Sequence, residues 1–296
     1  MTAPSPADWR SVLKAIGWSI AFTLTGLACT LILLGISAAL LAGGDFERGV
    51  RGFLTPGGRE AVAAGVSQLA GFGIATWLIG IRALRLDRAA LRWKPPGPGI
   101  RGMLAGLGIG AGAAALALLL AVALGSAHWS PDEGGPAVYA LQVARTTAAL
   151  APAALSEELM FRGVPLVVFA AVLGRGSALL LVSGVVFGLL HARNPAATPL
   201  ALGNIALAGL FLGAAFYARG GLWTAFGAHL GWNAALAALD APVSGLPFDV
   251  PLLDYHAGEP VWLSGGPFGP EGGLAATAAL AAAFVLTLRW ARKETR

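Results

Sequence analysis

The feature that most constrains the fold is a succession of long apolar stretches. They occupy 15–42, 60–81, 102–125, 137–160, 177–193, 199–218, 222–239 and 273–290, eight in all. A helix needs roughly 20 mostly apolar residues to cross the hydrocarbon core of a bilayer. The fifth and seventh stretches fall short of that length, and Val164–Leu173 is shorter still, so it is expected to be re-entrant or interfacial. The expected fold class is all-α: a polytopic membrane helix bundle of about eight transmembrane helices. One integral membrane domain, 1–296, accounts for the whole chain.

Composition supports lipid as the solvent. Only 12% of the 296 residues are charged and 56% are hydrophobic. A soluble domain carries about 25% charged residues. The mean hydropathy is +0.72. The first stretch follows Arg10 and Lys14 and opens like a signal sequence. It is too long for a secretory apolar region of about 7–15 residues, so a retained helix is expected. Cys29 is the single cysteine, which excludes a disulfide within the chain and a cysteine-based zinc site.

The net charge of +5 comes mostly from arginine gathered in particular loops. That pattern fits membrane topology and not a basic, aromatic nucleic-acid face, so no nucleic-acid partner is expected. Between the second and third stretches lie Arg82, Arg85, Arg88, Arg92, Lys94 and Arg101 against Asp87 alone. Arg10 and Lys14 lie near the start, and Arg292, Lys293 and Arg296 near the end. The segment Asp240 to Glu271 holds five acids and no Lys or Arg, and 126–136 holds Asp132 and Glu133 with no base. Basic loops stay cytoplasmic, so both termini are expected there and the acidic segments outside. The Ala-, Gly- and Arg-rich, lysine-poor composition is that of a GC-rich bacterial genome, which makes a bacterial inner membrane the expected location.

Glycines recur at four-residue steps: Gly102, Gly106 and Gly110; Gly184 and Gly188; Gly209 and Gly213. Such spacing lets helices approach closely in lipid. The two halves show no internal repeat, which disfavours a transporter built from duplicated bundles. Residues 240–272, rich in Pro and Gly, are expected to form an outer loop with Trp262 and Phe268 as interfacial anchors.

Ionisable groups at membrane depth cost roughly 2.5–3.5 kcal/mol each on insertion scales, and they mark functional sites. Glu157, Glu158 and Arg162 close the fourth stretch. Glu158 and Arg162 are four apart on one helix face, while Glu157 is rotated by about 100°. Phe187 and His191 share a face of the fifth stretch, and His229 and Asn233 a face of the seventh. His128 and His256 fall in outer loops and carry no assigned role. Two chemistries suit a Glu, two His and an Asn. The carboxylate and one imidazole can deprotonate a water while the second imidazole and the amide donate to an oxyanion. Equally, Glu157, His191 and His229 suffice as ligands of a catalytic zinc with an open position.

The order Glu157-Glu158-x-x-x-Arg162, Phe187-x-x-x-His191, His229-x-x-x-Asn233 on successive membrane helices resembles the CPBP intramembrane proteases. That family includes the type II CAAX prenyl endopeptidases and bacterial relatives linked to bacteriocin processing or immunity. The resemblance covers roughly 137–239, the catalytic core it implies. It implies an intramembrane endopeptidase acting on a peptide or lipidated protein substrate within the lipid bilayer. Glu157 would be the general base assisted by His191, and His229 and Asn233 the oxyanion site. Glu158, Arg162 and Phe187 would be supporting residues. The family carries a metalloprotease name, yet a metal-free glutamate mechanism is also argued for it, so zinc stays open. Competing readings are a non-catalytic immunity or scaffold protein of the same fold, and an ion-coupled transporter using Glu157 and the histidines as a relay.

Simple counting puts Glu157 and His191 at opposite ends of their spans. Shared chemistry therefore requires either a displaced fifth helix, with 164–176 filling the cytoplasmic half, or a fourth helix that extends further inward. The first is favoured because 164–173 are apolar and otherwise unexplained, and the four side chains are expected to line one water-filled cavity open to the cytoplasm.

Overall fold

The computed structural model describes residues 8–44, 47 and 58–293. Arg296 and the terminal segments 1–7 and 294–296 lie outside the described residues, so the orientation of the termini stays an expectation. Helices form at all eight expected positions. They are α1 (Trp9–Leu41), α2 (Gly58–Ala75, continuing as a π-helix over Thr76–Ala83), α3 (Pro96–Ala123) and α4 (Pro136–Arg162). The fifth position is the composite run α6 (Arg175–Arg193), followed by α7 (Pro199–Tyr217), α8 (Leu222–Ala238) and α10 (Leu274–Lys293). Val164–Leu173 forms a separate ten-residue helix, α5. It follows Gly163 and ends at Gly174, whose φ of 79° an L side chain rarely adopts. Beyond α8 lie a four-residue helix, α9 (Val261–Ser264), and two 3-10 turns at Gly266–Phe268 and Pro270–Gly272.

The protein is a polytopic helical membrane protein, and among the described residues six helices are long and apolar enough to cross a bilayer. The other two of the eight expected spans are α4 and α8. Gln142, Arg145, Thr146, Thr147, Glu157 and Glu158 reduce the apolar character of α4. Helix α8 has only 17 residues, and twelve of them are buried, so it is surrounded by protein along most of its length.

The chain divides into two compact units, 8–91 with 149–182, and 92–148 with 183–293; the boundaries fall within α4 and α6. In the first unit α1 packs on α2 and α5. Phe22 and Phe72 meet with ring centroids 5.7 Å apart, and Gly26 lies flat against the Phe72 ring. Gly71 lies against Thr30, and Gly80 against Val164.

In the second unit α8 is the centre. Gly102, Gly106 and Gly110 of α3 abut Gly220, Thr224 and Ala228, while Gly227 and Gly231 of α8 abut the carbonyls of Met103 and Leu107. The expected close approach is therefore reciprocal. Arg92 donates to the carbonyls of Phe216, Tyr217 and Ala218 at 2.7–2.9 Å, satisfying the open end of α7. A two-stranded antiparallel sheet of strands distant in sequence, β1 (Ala127–Pro131) and β2 (Leu253–Ala257), pairs His128 with His256. Those two rings stack at 4.9 Å. Asp240 accepts from the backbone of Val250 and Tyr255 at 3.1 Å each, tying down the segment after α8. Residues 240–272 are thus ordered structure packed into this unit. Trp262 is exposed as an interfacial anchor should be, but Phe268 is buried, so that expectation does not hold for it.

Candidate active site

In the first unit the end of α4 buries one face, and that face carries Ser156, Glu158, Leu159, Phe161 and Arg162. Glu158 and Arg162 are both fully buried, with the guanidinium 3.2 Å from carboxylate Oε1. A buried charge is tolerated only with a partner and further hydrogen bonds, and the i, i+4 spacing supplies the partner. Glu157, rotated off that face, is half-buried. The helix thus separates two neighbouring carboxylates into different surroundings.

In the second unit a cavity with about 30 Å³ of room for water is lined by His191, His229 and Asn233, with Phe187, Trp232, Ser244 and Glu271. One water needs roughly 10–15 Å³ measured this way, so the space holds one or two. Ile205, Ala208, Phe211 and Leu212 of α7 and Leu280 of α10 form its apolar wall. Three of the four expected catalytic side chains therefore line one water-sized space with an otherwise largely apolar wall. Glu157 belongs to the first unit and is described there.

Local structure explains each position. The run α6 changes from a π-helix (Leu179–Val186) to an α-turn (Phe187–Leu190) and then a 3-10 turn beginning at His191. π-Helical segments occur often at functional sites, since the extra residue per turn re-aims the side chains beyond it. Gly209 of α7 lets the Ser183 carbonyl and the Phe187 ring come close, and Gly188 does the same for Ala206. His191 Nδ1 lies 2.8 Å from the Phe187 carbonyl oxygen. A carbonyl only accepts, so the proton is assigned to Nδ1, which leaves Nε2 of the neutral ring as an acceptor. The Phe187 ring is 4.7 Å from His191 and 6.3 Å, edge-on, from His229. Phe187 thus packs between the two imidazoles and fixes both.

Sequence reasoning missed Glu271 and Ser244. Glu271 is buried, and its carboxylate accepts from Trp232 Nε1 at 2.9 Å, from the Ser244 hydroxyl at 3.1 Å and from the Ser244 backbone N–H. Burial pushes its carboxyl above the usual carboxylate range, against those hydrogen bonds and nearby His191, which pull it down. The available signal was a lone acid in a Pro-Glu-Gly-Gly turn directly before an apolar helix, with no base near it.

Among the described residues, no group of three or more His, Cys, Asp or Glu side chains is arranged to hold a metal ion.

No curated protein and no solved structure matches the chain. A family model described as type II CAAX prenyl endopeptidase Rce1-like matches residues 139–235. This match takes in Glu157, Glu158, Arg162, Phe187, His191, His229 and Asn233, and leaves Ser244 and Glu271 outside. Over residues 139–235 the chain is thus similar to the Rce1-like CAAX-type proteases.

Proposed function

We propose that the protein is an intramembrane endopeptidase that hydrolyses a peptide bond of a membrane-associated or lipidated protein. The single observation that carries the reading is the convergence of His191, His229 and Asn233 on one cavity of water size. In the proposed reaction Glu157, assisted by the Nε2 acceptor of His191, takes a proton from a water as its oxygen adds to the scissile carbonyl. His229 and Asn233 donate to the oxyanion that forms, a contribution worth roughly 10²–10³ in rate per donor in well-studied hydrolases. Collapse of the tetrahedral intermediate breaks the C–N bond, and the proton held by the general base passes to the departing amine. Phe187 keeps the two rings in place, and the Glu158–Arg162 pair fixes the end of α4 that carries Glu157.

A cavity inside a membrane bundle suits a substrate that already resides in the bilayer. Cleavage would occur near the cytoplasmic leaflet, with both termini on that side. The test is cleavage of a lipidated peptide library by purified protein, with and without chelator, alongside His229→Ala. Discrete products that vanish in the variant and survive chelation are expected. An absence of products from wild-type protein across lipidated and unlipidated peptides would remove the reading, and loss of all cleavage on chelation would replace its metal-free chemistry.

A further inference from the structure

A buried chain of hydrogen bonds ties together the elements that carry the cavity's polar groups. Asn194, three residues after His191, donates its side-chain amide to the Ser244 carbonyl at 2.9 Å. The Ser244 N–H and hydroxyl both donate to Glu271 Oε2. Glu271 Oε1 accepts from the indole of Trp232, the residue between His229 and Asn233 on α8. Asn204 of α7 donates to the backbone carbonyls of Glu271 and Gly273 at 2.8 and 2.9 Å and accepts from Thr277 of α10 at 2.6 Å. One carboxylate thus stands between the 3-10 turn that begins with His191 and the helix face that presents His229 and Asn233. Ser244, Trp232 and Glu271 all line the cavity as well.

We propose that Glu271 is a positioning residue of this cavity: its carboxylate sets the spacing of His191 relative to His229 and Asn233 through Ser244 and Trp232. The chemistry fits. Trp232 Nε1 and the Ser244 backbone nitrogen are obligate donors, each aimed at a different oxygen, and only a carboxyl group in that place can accept both at once. An amide there accepts on one side and confronts the other donor with its own N–H. Of the residues concerned, Trp232 lies within the family match, while Ser244 and Glu271 lie beyond it. Catalytic groups must be held within a fraction of an ångström, and a misplacement of about 1 Å costs on the order of 100-fold in rate.

The activity arm of the test rests on the hydrolase reading; a spectroscopic arm does not. Glu271→Gln is expected to lower kcat roughly 10- to 100-fold on a cleaved peptide, with KM within about twofold and the thermal midpoint nearly unchanged. Trp232→Phe, which keeps an aromatic ring and removes the donor, is expected to act in the same direction. The double variant should cost no more than the worse single, because both break one strut. Spectra of histidine-labelled protein resolve four rings; those of His191 and His229 are expected to shift in Glu271→Gln while His128 and His256, on the two-stranded sheet, stay put. Should Glu271→Gln not fold, Trp232→Phe carries both readouts. Unchanged kcat, unmoved cavity histidines, or a loss of rate that only tracks a loss of folded protein overturns the proposal. Shifted cavity histidines in a protein that cleaves nothing would sink the hydrolase reading and leave the strut standing.

Discussion

Adding one methyl group at Gly110 tests whether the contact between α3 and α8 sets the catalytic geometry. A Cβ built there lies 2.0 Å from the Ala228 carbonyl oxygen and 2.9 Å from the Trp232 nitrogen. Real Cβ contacts essentially never fall below 3.0 Å, so the helices must part by about 1 Å or more. The atom in the way is backbone, which cannot rotate aside. Ala228 precedes His229 in α8, so the displacement is delivered directly to the oxyanion side of the cavity. Overpacking of this kind costs about 1–3 kcal/mol, and an ångström of misplacement costs on the order of 100-fold in rate. Gly108 is the internal control: nothing lies within 4 Å of its Cβ position, and Gly108→Ala should stay within about 0.5 kcal/mol of wild type. Both variants are compared by denaturant titration in mixed micelles and by initial cleavage rate. Equal stability and equal rate for the two alanine variants would refute the packing argument.

Three further outcomes are expected. Arg162→Met strands a fully buried Glu158 and should destabilise the protein by about 3–5 kcal/mol, in keeping with about 5 kcal/mol for charges 3.2 Å apart at an effective dielectric of 20. Adding Glu158→Gln should recover more than half of it, which the same micelle titration measures; no recovery would count against the pairing. The Glu271 carboxyl is held above the usual carboxylate range by burial, so the folded state binds that proton more tightly than the unfolded chain does. Its contribution is complete below the unfolded value of about 4.3 and is lost as pH rises through the higher folded value. Unfolding midpoints across that window should fall in wild type and lose this component in Glu271→Gln; identical slopes would contradict it. Finally, Phe187→Leu keeps apolar volume but removes the ring between the two imidazoles, and should lower kcat more than it raises KM.

Much of this was legible in the sequence because helix periodicity and lipid solvation act locally. The eight apolar stretches gave the helices, and the four-residue glycine steps gave a close helix approach, whose partner α8 only the fold reveals. The motif positions gave His191, His229 and Asn233, since side chains four apart share a face. Glu271 was illegible for the opposite reason. Its partners Ser244 and Trp232 lie 27 and 39 residues away, and an acid in a Pro/Gly-rich acidic segment looks like a solvated loop charge. Only tertiary folding of 240–272 onto α7, α8 and α10 buries it. The same folding turns Phe268 inward. Among the described residues six helices qualify as spans by length and composition, because α4 carries polar and charged residues and α8, sheathed by protein, does not need the length that lipid contact demands.

The most direct test is the single-turnover cleavage rate of a reporter peptide by purified wild-type protein and by Glu157→Gln, His229→Ala and Asn233→Ala, with peptide binding measured in parallel. Each variant should bind the peptide and cleave it roughly 100-fold or more slowly. Cleavage at the wild-type rate by any of the three would contradict a carboxylate-activated water and a His/Asn oxyanion site.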